Sequence, residues 1–224
     1  VHHTSKKRFA KLKMMFADRL GAHFTAVSQF TADHLRRHGV RKRSISVVGN
    51  PIQLPRLNFS SERQLTRAKL GIVEESDKHW VWIHVANFRK VKDQETLLRG
   101  FAVALRKNAH KQTLVIVGDG PEKEKLLGLS SHLGIQGDIR WVGFSDEVGV
   151  YLAAADGFVL SSRSEALPMS LLEAALYELV LLGTKVGGIP EVIEDRSTGF
   201  LYSPGSAEGL ANAIDLVLSE RATD

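Results

Sequence analysis

Apolar residues fall in short unbroken runs, separated by longer segments in which they recur every three or four positions. Leu114-Val115-Ile116-Val117 and Leu179-Val180-Leu181-Leu182 show no polar alternation, as a strand covered by helices on both faces requires. Between such runs the wider spacing marks amphipathic helices. The pattern predicts strands at 80–86, 113–117, 139–142, 157–160, 179–182 and 200–202. It places helices at 61–70, 94–106, 121–133, 147–154, 170–177 and 207–218, with a short one near 190–193. Gly71 and Gly134 stop two of them, and Pro121 opens a third. Such alternation implies a doubly wound α/β domain with a Rossmann-like parallel sheet.

The first fifty residues read differently. Phe9, Leu12, Phe16 and Leu20 form an apolar stripe on a predicted helix at 6–20 whose other faces are rich in lysine. A short strand at 23–27, a helix opened by the N-cap residue Ser28 and closed by Gly39, and a strand at 44–48 follow. Gly49-Asn50-Pro51 then breaks the chain. Charge divides at the same place. Residues 1–43 carry +9 of a net +5, so the remainder carries −4. The expected division is 1–50 as the end of a preceding domain, 51–204 as the Rossmann-like domain, and 205–224 as a terminal helix.

With 224 residues, 43% hydrophobic and 25% charged, the chain has enough material for a layered core. It contains no cysteine, which excludes disulfides, thiol nucleophiles and zinc-thiolate sites and fits a cytoplasmic location. The longest apolar stretch, 166–182, is interrupted by Glu173 and Glu178, so no membrane span is expected. The chain starts at Val1 without a signal-like apolar segment and is read as a piece of something longer.

In a doubly wound sheet, ligands bind beyond the carboxyl ends of the strands, which directs attention to the strand-to-helix loops. Gly118-Asp119-Gly120-Pro121 reads as an ordinary turn or as a cradle of backbone N–H groups. Gly187-Gly188-Ile189-Pro190-Glu191 reads as a tight turn or as a close approach for a ligand. Arg89, Lys90 and Lys92 are either solvated surface or the cations that neutralise a diphosphate. The most informative stretch is 161–173. Glu165 follows a strand, Glu173 lies in the first turns of the next helix, and the amides of Met169, Ser170 and Leu171 are helix-start donors. Hydroxyl acceptors flanking phosphate donors suit a nucleotide sugar. The alternative is a surface contact for Glu165 and a helix-dipole role for Glu173.

From about Phe24 to Glu220 these residues resemble the carboxyl-terminal half of a family-4 (group 1) glycosyltransferase of the GT-B fold. Eight matches occur in order: Val27-Ser28, Asn50-Pro51-Ile52, Phe88 to Lys92 with Leu97-Leu98 and Phe101-Ala102, Gly118 to Pro121, Val142-Gly143-Phe144, the Glu165/Glu173 pair, Val186 to Glu191, and Thr198 to Leu201. The resemblance implies retaining transfer of a sugar from a UDP- or GDP-linked donor to a glycan or lipid-linked acceptor, with no metal or other cofactor. It implies that Glu165 faces the sugar hydroxyls and Glu173 the ribose. Lys92 with an arginine would neutralise the diphosphate, the amides at 169–171 would receive phosphate, and Gly143 and Phe144 would lie near the base. Gly118, Gly120 and Gly188 would line the donor site.

The family's arginine five residues before the lysine falls on Asn87, which leaves Arg89 as the substitute. Ala166 stands where glycine is usual, beside the sugar, and Val180 stands where proline is common. The acceptor-binding domain is expected to be missing, so that this piece binds donor without transferring it. The basic helix at 6–20 is expected to pack against that domain, with docking at the inner face of the plasma membrane as the alternative. The competing functions are a nucleotide-sugar-binding module without activity, a GT-B epimerase or phosphorylase, and a nucleic-acid binder. The first 43 residues have no reader motif and few aromatics, so no nucleic-acid partner is expected. His84 lies inside an apolar strand and is assigned no role.

Overall fold

The computed structural model describes residues 2–52, 59–72 and 79–221. The chain opens with α1 (His2–Arg19), then β1 (Phe24–Ala26), α2 (Gln29–Arg37) and β2 (Ile45–Val47). β1 and β2 pair in parallel with each other and not with the main sheet. Leu12 and Phe16 on α1 and Leu20 just after it are 63%, 65% and 72% exposed, so the apolar stripe faces solvent here. The side chain of Phe9 lies outside the described residues.

After α3 (Phe59–Lys69) the alternation begins: β3 (Trp80–Val85), α4 (Gln94–Lys107), β4 (Gln112–Val117), α5 (Lys123–His132), β5 (Ile139–Gly143), α6 (Val148–Ala154), β6 (Gly157–Leu160), α7 (Met169–Leu176), β7 (Val180–Thr184), β8 (Gly199–Tyr202) and α8 (Ala207–Arg221). The six strands are all parallel, in the order β5-β4-β3-β6-β7-β8. This is the order of a Rossmann sheet, with its reversal between β3 and β6.

Each strand divides its residues between two cores. Trp82, Leu114, Ile116, Val159 and Leu182 pack with residues of α4 and α8 on one face. Val81, Ile83, Val115, Phe158 and Leu181 pack with α6 and α7 on the other. The unbroken apolar runs follow from this arrangement, because both sides of every central strand are dry. Gly157 lies against the Trp82 ring, where a Cβ would come within 2.3 Å of it.

Element boundaries differ by a few residues from the pattern-based ones, and one difference has a clear cause. Pro121 does not open α5, which starts at Lys123. The Glu122 amide instead donates to the Phe88 carbonyl of the neighbouring loop at 3.3 Å, which draws the first turn away from helical geometry. The short helix near 190 is a single 3-10 turn, Ile189–Glu191.

At the amino ends of the strands, Asp156 accepts from Arg63 Nη2 at 2.7 Å, Arg67 Nη2 at 2.8 Å and the Val81 amide at 2.8 Å. Both guanidinium groups come from α3, so this carboxylate fastens that helix beneath the sheet.

Candidate functional site at the strand reversal

β3 and β6 are neighbours whose connections leave in opposite directions, which opens a crevice between the loops beyond their carboxyl ends. Those two loops are tied together. The Arg163 amide donates to the Val91 carbonyl at 2.8 Å, and Ser161 Oγ donates to the Lys92 carbonyl at 2.9 Å. Arg163 Nε meets Asp93 Oδ2 at 2.9 Å. Asp93 itself takes a left-handed conformation, φ 49°, as it turns the chain into α4.

Between the loops Lys92 Nζ lies 2.5 Å from Glu165 Oε1, with side-chain exposures of 21% and 9%. Ser162 Oγ donates to the same carboxylate oxygen at 2.6 Å. The pairing brings together a cation from the first βα loop and a carboxylate from the fourth, 73 residues apart. Beneath them His84 is fully buried, and its Nδ1 lies 2.8 Å from the Val159 carbonyl. Since a carbonyl only accepts, that nitrogen carries the proton. Burial pushes the imidazole down to about 4, and the charge of Lys92 adds to the effect. His84 is therefore a neutral core histidine.

The next helix supplies the other half of the site. α7 starts at Met169 after Pro168, with no side chain capping its first turn. The amides of Met169, Ser170 and Leu171 precede the first intrahelical bond and point out of the helix toward its positive end. Glu173 is half-buried on the same helix, and its side chain makes no hydrogen bond or ion pair among the described residues. Its charge, after burial, helps push the Tyr177 hydroxyl upward, which places the carboxylate near that ring. Phe144 is 76% exposed and Met169 39%. Gly143, at φ +84°, has open space around its Cβ position.

Other expected site residues have different surroundings. A Cβ on Gly187 would lie 1.7 Å from the Glu165 carbonyl oxygen, and one on Gly188 would lie 2.2 Å from that of Ala166. These glycines let the turn after β7 pack on the loop that carries Glu165. The Cβ side of each is thus filled by a protein neighbour. Gly118 and Gly120 are similar: their Cβ positions fall 2.0 Å from the Ala86 carbonyl oxygen and 2.6 Å from that of Phe88. Arg89 is exposed and lines a cavity of about 270 Å³ together with Lys90, Glu122, Lys125 and Arg163. Neither Lys92 nor Glu165 lines that cavity.

Two contributions were not read from the sequence. Ser162 appeared only as part of a loop, because a serine next to a strand end has no signature of its own. The second is a link from the first fifty residues. Glu191 accepts from the Gln29 and Phe30 amides at 2.7 and 2.6 Å, and Ser28 Oγ donates to the Ala166 carbonyl at 2.9 Å. The start of α2 is therefore fixed to both the 187–191 turn and the Glu165 loop. The signal lay in Ser28 as an N-cap, and its partner lay 138 residues away.

The family model for glycosyl transferases group 1 matches residues 66–224. The chain belongs to that family. Among curated relatives of this chain are the N-acetyl-alpha-D-glucosaminyl L-malate synthase of Bacillus anthracis, 36% identical over 197 residues, and the lipopolysaccharide 1,6-galactosyltransferase of Salmonella typhimurium, 27% identical over 203. The matches cover 88% and 87% of this chain but 50% and 52% of those proteins, so the chain spans about half their length. The crystal structure of Anabaena HepE in complex with UDP and glucose superposes with a TM-score of 0.82, at 24% identity, over 94% of this chain and 57% of that one. The fold is that of the GT-B glycosyltransferases. Among the described residues no helix is long and apolar enough to cross a membrane.

Proposed function

We propose that this chain is the donor-binding half of a retaining hexosyl-type glycosyltransferase that moves a sugar from a UDP- or GDP-linked donor to a glycan or lipid-linked acceptor. In this reading residues 1–50 end the acceptor-binding domain, 51–204 bind the donor and 205–224 close the fold, and the chain alone turns over little or nothing. The observation that carries it is the Lys92–Glu165 contact of 2.5 Å at the strand reversal, beside the uncapped start of α7. The names of the relatives, a galactosyltransferase among them, and the UDP held by HepE support the donor class.

Breaking the bond between the anomeric carbon and the β-phosphate oxygen leaves the electron pair on the diphosphate. Lys92 and the amides of 169–171 offer positive charge there without reorganising, which is how a fixed site stabilises a departing anion. No metal is needed for that neutralisation. Glu165 accepts from sugar hydroxyls and Glu173 from the ribose. The enzyme works in the cytoplasm, with docking at the inner face of the plasma membrane as the alternative role of the basic first helix.

Calorimetric titration of the chain with UDP, GDP and ADP and their sugar conjugates tests the reading. Binding of one nucleotide, weakened by both Lys92→Ala and Glu173→Ala, is the expected result. Silence from this chain and from the full-length protein would sink the donor-site reading. Binding without turnover in the full-length protein would leave a nucleotide-sugar-binding module.

A further inference from the structure

Glu165 is held by one of its two carboxylate oxygens. Oε1 accepts from Lys92 Nζ at 2.5 Å and from Ser162 Oγ at 2.6 Å, whereas Oε2 has no partner among the described residues. A carboxylate offers about four lone-pair directions, so half of its accepting capacity is uncommitted on a side chain only 9% exposed. The two donors to Oε1 differ in kind. Lys92 sits on a flexible stem and is 21% exposed, and its charge is what an incoming diphosphate seeks. Ser162 is fully buried. Its carbonyl accepts from Thr184 Oγ1 at 2.6 Å, and Thr184 at the end of β7 is itself fully buried. The serine cannot follow a ligand.

We infer that Ser162 is a positioning residue for donor-sugar recognition. It keeps Glu165 in place, with Oε2 presented to a sugar hydroxyl, once the diphosphate has drawn Lys92 away. The inference rests on the donor-site reading proposed above. In the empty site the lysine and the carboxylate neutralise each other, and either donor suffices to hold Oε1. With the diphosphate bound, Lys92 turns to phosphate and Ser162 becomes the remaining anchor. A nucleoside diphosphate alone therefore gains nothing from the serine, while the sugar conjugate does.

This separates Ser162 from a residue that merely supports the loop. Isothermal titration of the chain with UDP and UDP-glucose, and with GDP and GDP-mannose as a second pair, reads the difference. Ser162→Ala is expected to leave nucleotide affinity within about twofold and to weaken the sugar conjugate about tenfold, the size of a lost hydrogen bond to a charged group. In a Glu165→Ala background the same substitution should have no effect on the ratio of the two affinities, since the group it positions is gone. Equal weakening of nucleotide and conjugate would overturn the inference, as would an undiminished effect in the Glu165→Ala background. Wild-type binding with either of those results leaves the donor site standing. Silence toward both pairs from the wild-type chain and from the full-length protein overturns the donor-site reading and this inference with it.

Discussion

Strand β6 is flanked by two carboxylates of nearly equal burial, Asp156 before it at 10% side-chain exposure and Glu165 after it at 9%. Both face cations, yet they are satisfied differently. Asp156 has donors on both oxygens: Arg63 on Oδ1, and Arg67 and the Val81 amide on Oδ2. Glu165 has two donors on one oxygen and none, among the described residues, on the other. Burial and ion pairing thus fail to tell structure from function here. On the proposed reading unspent accepting capacity does, because Glu165 leaves one whole oxygen open to a ligand while both oxygens of Asp156 hold donors.

The comparison breaks most visibly at Asp156. Asp156→Ala takes from the Arg67 side chain, 5% exposed, the carboxylate it meets at 2.8 Å, and should cost about 3–5 kcal/mol of stability. Urea unfolding measures that loss. The fraction that remains folded should bind nucleotide as the wild type does, and a selective loss of nucleotide affinity would place function at the wrong end of the strand.

Lys92→Ala has the opposite signature. Removing a cation that stabilises the departing diphosphate should lower kcat of the full-length protein by about 10²–10³, while Ser162 still holds Glu165 and the melting temperature moves by no more than about 4 °C. A variant that melts much earlier at unchanged kcat would make the 2.5 Å pair a structural contact like its counterpart.

The sheet was legible because its cores are periodic. Apolar runs such as Leu114 to Val117 have one reading when helices cover both faces, and their alternation with helices marked a parallel doubly wound sheet. The Lys92–Glu165 contact was foreshadowed because both residues lie in loops beyond strands, where a charge has few structural duties. Long-range backbone approaches were not legible. Gly187 and Gly188 look the same in sequence whether a Cβ would meet a ligand or, as here, the carbonyls of Glu165 and Ala166. Arg89 was placed as the substitute for the family arginine that falls on Asn87; it lines a cavity with Lys90, Glu122, Lys125 and Arg163, while Lys92, after a 3-10 turn, reaches Glu165.

His84 sharpens the comparison from below the site. Its folded pKa, about 4, lies below the ordinary 6.5. As pH falls the unfolded chain therefore takes up the proton first, and stability is full above about 6.5 and declines toward 4. The shift corresponds to about 3 kcal/mol across that window. His84→Gln removes this titration, so the stability difference between wild type and variant should shrink by about that amount from pH 7.5 to 4 in urea melts. A constant difference across the range would mean that the imidazole is not held neutral beneath Lys92.

The smallest effect concerns two helix starts that differ as the two carboxylates do. α2 is fully provided for: Ser28 accepts from the Thr31 amide at 3.1 Å, and Glu191 takes the Gln29 and Phe30 amides. α7 has no capping side chain at all. Glu191 is thus a protein carboxylate in the position that a phosphate would take at α7, with the same attraction to N–H groups and helix dipole. Glu191→Gln keeps an acceptor but removes the charge, and should cost about 0.3–1 kcal/mol at low ionic strength, fading as salt is added. Nucleotide binding at α7 should weaken with salt in the same direction. A salt-independent loss at Glu191 would show that hydrogen-bond geometry alone fills a helix start in this protein, and the charge argument for phosphate at α7 would lose its internal example.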